Sequence, residues 1–157
     1  MIDKAVAKLV LEHTPRESGA SFAYAAMALW ANRQGMFQFE GWLWKNSREE
    51  LDHRDKMLKY LNDFNCPVSL LDVRERKVGW ADVGAVLTEI VAMETKVYEF
   101  IAEIVSKAAA VGDWNSFQFF QWFVDEQRDS VAYAMDLQAR YTASNCINTE
   151  FDEWFED

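Results

Sequence analysis

Prolines, glycines and cysteines are scarce in this chain: two, six and two respectively in 157 residues. That leaves little material for tight turns, hairpins or cross-links. Sustained alternation of apolar and polar residues is also missing, and long stretches repeat at helical spacing instead. A β-rich architecture is excluded and an all-α fold is expected. Cys66 and Cys146 lie far apart and form no C-x-x-C, which fits a reducing, cytoplasmic setting. His13 and His53 are the only histidines, so metal sites built from many imidazoles are ruled out. The longest apolar run, Phe22 to Ala31, falls short of the ~20 residues a bilayer span needs, so no membrane partner is expected. The first residues set Asp3 and Glu12 among apolar neighbours, unlike a signal peptide. Lys and Arg number 16 against 26 Asp and Glu, a formal charge of −10, which argues against a nucleic-acid surface and suits attraction of cations.

What the chain does have is bulk. Half of it is hydrophobic, with seven Trp and eleven Phe, enough for one domain (1–157) with a sizeable core. The bundle proper is expected over about 14–142, with a tail at 143–157. Helical periodicity runs through Ile2, Val6, Leu9 and Val10. Thr14-Pro15-Arg16-Glu17 then reads as a helix start, with Thr as N-cap, Pro at the first helical position and Glu closing a capping box. Either a new helix begins there or a longer one kinks at Pro15. Gly19 to Ala31 is apolar on nearly every side, so its outer face is expected to meet another subunit. The polar turn Asn32-Arg33-Gln34-Gly35 returns the chain antiparallel into a second helix, about Phe37 to Asn62, stopped by Asn65-Cys66-Pro67. Residues 67–80 are expected to form a long extended crossover, packed on one side. A third helix runs from about Asp82 to Val111. Gly112-Asp113 ends it and caps a fourth that reaches about Tyr141. From Thr149 the tail sets Phe151, Trp154 and Phe155 on one side among five carboxylates, either a short fifth helix or a frayed end.

Each long helix carries a polar intrusion on its apolar stripe. The clearest is in Arg48-Glu49-Glu50-Leu51-Asp52-His53, where Glu50 and His53 lie three apart on the face of Leu43, Met57 and Leu61. The third helix has Glu94 as the only charge on the stripe Val83, Leu87, Ile90, Val97, Ile101 and Ile104. The fourth interrupts Phe119, Phe120 and Phe123 with Gln127 and Ser130, ahead of Ala134 and Leu137. A carboxylate or imidazole on such a stripe is costly unless paired or bound to a cation. Short, long and short connections make a four-helix bundle with one crossover, in which Glu17, Glu50, His53, Glu94 and Gln127 could converge at mid-height.

In Glu17-x6-Tyr24, Phe39-Glu40-Gly41, Glu49-Glu50-Leu51-Asp52-His53, Met93-Glu94 and Gln121 to Gln127, taken in order, the sequence resembles a ferritin over roughly residues 10–142. The resemblance implies a ferritin-like fold and a ferroxidase centre for two irons. Glu17, Glu50 and His53 would hold one iron; Glu50, as a bridge, and Glu94 would hold the second, with Gln127 beside it and Tyr24 adjacent as hydrogen-bond or electron donor. It further implies oxidation of Fe(II) by O2 or peroxide and storage of the ferric product in a homo-oligomeric cage, a 24-mer. Carboxylates and imidazole with open positions suit redox iron, and Zn could occupy the same ligands without turnover.

Four departures qualify the match. Ser130 stands where many bacterial ferritins have Glu, so a third iron site near Glu49, Glu126 and Asp129 is expected to be weak. Glu17 has a competing role as partner of the Thr14 cap. The tail is shorter than a full fifth helix. Phe117 and Phe120 replace the carboxylates that line an ion channel in animal ferritins. Haem is not expected, because Leu51 holds the position of a haem-ligating Met. The alternatives are a catalytically weak cage subunit that nucleates mineral, and a metal-free helical interaction module. For Tyr24, Trp122 and the Phe-rich face, core packing is expected in any case.

Overall fold

Asp3, not Thr14, starts the first helix. Its carboxylate accepts from the backbone N–H groups of Ala5 and Val6 at 2.8 and 3.2 Å, and α1 (Lys4–Arg33) then runs unbroken past Pro15. A proline inside a helix leaves the carbonyl four residues back without its donor. Here that carbonyl belongs to Leu11, and the Thr14 hydroxyl donates to it at 2.8 Å. Of the two readings of Thr14-Pro15, the longer helix is the one found, and the Thr14 side chain is an interior repair. The capping-box role of Glu17 falls with the other reading, since Glu17 lies mid-helix with its side chain buried.

In the computed structural model, which describes residues 1–155, the further helices are α2 (Phe37–Asp63), α3 (Val83–Val111), α4 (Trp114–Ala143) and the short α5 (Asn148–Asp152), followed by a 3-10 turn at Glu153–Phe155. No strand occurs among the described residues. Local chemistry explains most boundaries. Asp82 caps α3 through the N–H of Ala85, and Gly112 ends it at φ 71°, a left-handed conformation that glycine adopts without a Cβ clash. Asp113 caps α4 through Ser116 and also accepts from the N–H of Asp3 at 2.8 Å, so one carboxylate ties the starts of two helices.

The start of α2 is capped from afar. Met36 offers no side-chain cap, and the carboxylate of Asp152 accepts from the N–H of Phe39 at 2.8 Å. Phe151 is buried against Phe39, Tyr141 and Phe155, which docks α5 on its own bundle. Trp154 instead lies half-exposed under Arg140, off the face shared by Phe151 and Phe155. The last two tail carboxylates, Glu156 and Asp157, lie outside the described residues.

The core falls into two apolar clusters. One gathers Tyr24, Met27, Phe39, Leu43, Leu87, Ile90, Ala134 and Leu137; the other gathers Val10, Met57, Leu61, Val97, Ile101, Phe120 and Phe123. The order in which each helix visits them gives its direction. α1 and α4 pass from the second cluster to the first, and α2 and α3 pass from the first to the second. So α2 and α3 are parallel, and the chain between them must return along the bundle. α2 is ~40 Å long at 1.5 Å per residue. Residues 66–80, which have no regular structure, can reach ~50 Å when extended.

That crossover is less packed than expected. Val73, Val78 and Trp80 are half-buried, whereas Leu70 is 75% exposed and Val68 and Leu71 are also in water. Its far end is fastened by Trp80, whose carbonyl accepts from Trp30 Nε1 at 3.1 Å and whose Nε1 donates to Glu89 at 2.6 Å. Phe120 is fully buried in the second cluster, where it packs the core.

Candidate metal centre

The five polar residues on the stripes sit between the two clusters, one level on every helix: Glu17 on α1, Glu50 and His53 on α2, Glu94 on α3 and Gln127 on α4. All but His53 are buried, and the His53 side chain is 12% exposed. Within this layer, Glu17, Glu50 and His53 offer ligand atoms that all lie within 4.8 Å of one another. His53 Nδ1 is 3.4 Å from Glu50 Oε2 and 4.0 Å from Glu17 Oε2. Those two carboxylate oxygens are buried and have no hydrogen-bond partner. Unpaired acceptors out of water are costly and rare. Two of them converging on an imidazole nitrogen make a donor set that fits Fe(II) or Zn(II). Trp122 covers the outer side of His53, ring edge to face at 5.6 Å, and carries Lys56 Nζ 3.3 Å above its own ring.

Burial dominates the electrostatics. It pushes Glu50 up to about 8, helped by the charge of Glu17 and opposed by His53. Burial alone would lower His53, but the Glu50 carboxylate 3.4 Å away, with the charge of Glu17, carries it up to about 9. Burial likewise raises Glu17. It also raises Glu94, with the charge of Glu50, to about 7 against the donors Tyr24 and Gln127. The layer thus holds protons at neutral pH that a dication would displace.

Glu94 is engaged differently from Glu17 and Glu50. The Tyr24 hydroxyl donates to one of its oxygens and Gln127 Nε2 to the other, and Gln127 Nε2 also donates to the Glu94 carbonyl at 2.9 Å. Tyr24 stays a phenol: burial and then the nearby charge of Glu94 push it well above the usual range. The structure therefore divides the expected five into an open group (Glu17, Glu50, His53) and a clamped one (Glu94, Gln127), with Tyr24 on the clamped side.

Sequence reasoning passed over His13. It is fully buried, and its Nε2 lies 2.9 Å from Glu17 Oε1, while its Nδ1 has no partner. Burial, then the charge of Arg16, lowers it to about 4, so it is neutral. Its spacing of four from Glu17 on one helix face was the available signal.

The model of the ferritin-like domain family matches residues 8–141. The chain belongs to the ferritin family. Among curated relatives, this ferritin is 27% identical over 132 residues to a bacterial non-heme ferritin of Campylobacter jejuni, covering 84% of this chain and 79% of that one. It is 25% identical over 127 residues to the bacterial non-heme ferritin of Staphylococcus epidermidis, covering 81% and 76%. The open pore ferritin of the archaeon Archaeoglobus fulgidus superposes with a TM-score of 0.93 at 23% identity, covering 99% of this chain and 98% of that one, a likeness of fold. Family and fold together support iron storage.

The three outer carboxylates of this ferritin do not join the buried group. Glu49, Glu126 and Asp129 are exposed and, with Tyr24, Glu94, Ser130 and Tyr133, line a surface cleft of about 380 Å³. Lys45 reaches Glu49 at 3.7 Å, and Arg128 pairs with Asp129 at 3.1 Å. Among the described residues they form no cluster of three convergent ligand atoms. No helix among those residues is long and apolar enough to cross a membrane.

Proposed function

We propose that this ferritin chain oxidises Fe(II) with O2 or peroxide inside its bundle and passes the ferric product into a cage of identical cytoplasmic subunits, a 24-mer. The observation that carries this reading is the convergence of Glu17 Oε2, Glu50 Oε2 and His53 Nδ1 between two apolar clusters, with both oxygens unpaired. Fe(II) is the substrate. Its arrival expels the protons of Glu50 and His53, which the apo layer retains near neutrality. Glu50 faces both Glu17 and Glu94 and is the residue able to bridge two ions. Glu94 binds a second one by yielding a hydrogen bond from Tyr24 or Gln127. Tyr24 orients Glu94 and stands within reach as an electron donor. Glu49, Glu126 and Asp129 would draw cations to the cleft, with paired Lys and Arg weakening any fixed site there. The cage is supported by Phe22 and Leu29, nearly half exposed on the apolar outer face of α1.

A second reading, a subunit that stores iron with little oxidation of its own, draws on the clamped state of Glu94. Stopped-flow absorbance after Fe(II) addition to the aerobic apo-protein separates them. Fast ferric absorbance that saturates near two Fe(II) per chain and disappears in Glu50→Ala is expected. A slow signal that Glu50→Ala leaves unchanged rejects the buried centre as the oxidation site.

A further inference from the structure

We infer that His13 is a positioning residue for Glu17: its Nε2–H holds Oε1, so that Glu17 presents Oε2 alone to a cation. The inference rests on the metal-centre reading above. The two side chains lie one turn apart on α1, essentially out of water, at 2.9 Å. The imidazole is also held from α3, with the Phe100 ring at 5.7 Å.

The direction of the bond follows from the neighbours. A Glu17 that ligates a cation is a carboxylate and can only accept, so His13 must donate through Nε2. That leaves Nδ1 as a bare lone pair, in agreement with its lack of a partner. The opposite tautomer would bury an unmet N–H, which is rarer in folded proteins than an unmet acceptor. Glu17 Oε2 is the oxygen without a protein partner and the one nearer His53. Without His13 both oxygens would be free, and the carboxylate could rotate or chelate through both. A histidine kept for packing alone gains nothing over leucine at a fully buried position, so the bond to Glu17 is what distinguishes it.

Two measurements test this. With histidine ¹⁵N-labelled, the chain has two imidazoles to resolve by solid-state NMR, and His13 is expected as the neutral Nε2–H tautomer in apo and Zn(II)-loaded protein. An Nδ1–H tautomer or an imidazolium overturns the inference, and this readout needs no variant to fold. Calorimetric Zn(II) binding is expected to weaken ~10–100-fold in His13→Leu, the usual effect of losing an outer-shell partner. His13→Gln, which keeps an N–H donor, is expected to recover most of that loss. Wild-type affinity in His13→Leu, or a Gln variant no better than Leu, overturns the inference while loss of binding in Glu50→Ala leaves the centre standing. Unchanged binding in Glu50→Ala overturns the centre and this inference with it.

Discussion

The Tyr24 hydroxyl on α1 donates to the Glu94 carboxylate on α3, a bond between residues 70 apart in sequence that closes the buried layer from one side. Tyr24→Phe leaves a buried carboxylate oxygen unpaired, and a loss of about 1–3 kcal/mol in apo stability is expected from denaturant unfolding. Saturating Zn(II) is expected to recover part of that loss, because Glu94 then has a cation to bind. Absence of recovery argues against Glu94 as a ligand.

Glu50→Gln is expected to abolish tight divalent binding and, at pH 9, to raise the melting temperature of the apo-protein. The wild-type carboxyl, pushed up to about 8 by burial, is ionised there, out of water and beside a His53 that has begun to lose its charge near 9. Differential scanning calorimetry of the two apo-proteins decides it; a lower melting point for the variant at pH 9 contradicts the electrostatic account.

Stability of the apo-protein is expected to fall as pH rises from 6 to 9. Glu50, Glu94 and His53 all titrate higher folded than unfolded, near 8, 7 and 9 against 4.5, 4.5 and 6.5. Groups of that kind stabilise below their unfolded pKa and lose the contribution as pH climbs through the folded one. His13, lowered to about 4, acts in the other sense and only below 6.5. The stabilisation gained from Zn(II) has the opposite trend, growing between pH 6 and 8 as fewer protons must leave. Melting curves with and without Zn(II) across that range test both slopes.

Thr14→Val is expected to cost about 1 kcal/mol by orphaning the Leu11 carbonyl. In a Pro15→Ala background the new N–H can serve that carbonyl, so the same substitution is expected to cost close to nothing. A double-mutant cycle in urea measures the difference. Equal costs in the two backgrounds would show that the hydroxyl is not the proline's stand-in.

Asp152→Ala is expected to cost about 0.5–2 kcal/mol, the range for losing an N-terminal cap. Hydrogen exchange should show the Phe39 amide losing protection before the rest of α2 does. Unchanged exchange at Phe39 would detach the tail from the stability of the bundle.

The fold was legible because amphipathic period and local caps carry it. Every residue on the stripe from Val83 to Ile104 is buried, the third helix starts beside Asp82, and Gly112 and Asp113 act where their chemistry placed them. The start of α1 stayed open between a new helix at Thr14 and a longer one through Pro15 because Thr14-Pro15 imitates a cap, and only the hydroxyl's bond to Leu11 distinguishes a repair from a beginning. The crossover was expected to pack because Leu70 and Leu71 are apolar, yet nothing in this chain covers them. The candidate site was readable as intrusions on apolar faces. What the pattern could not say was how residues of different helices would pair: that Tyr24 of α1 and Gln127 of α4 would both claim Glu94 of α3. Those are facts of distance across helices, and a linear pattern does not contain them.

The ionisable layer at mid-height leaves Phe39 and Phe120 in separate hydrocarbon domains, each enclosed by all four long helices. Damage at one end of the bundle should therefore be felt weakly at the other, and paired substitutions, one per end, should sum. An ion seated at the waist would fasten the helices at one level between the two ends, adding to the continuity that the unbroken helices already supply.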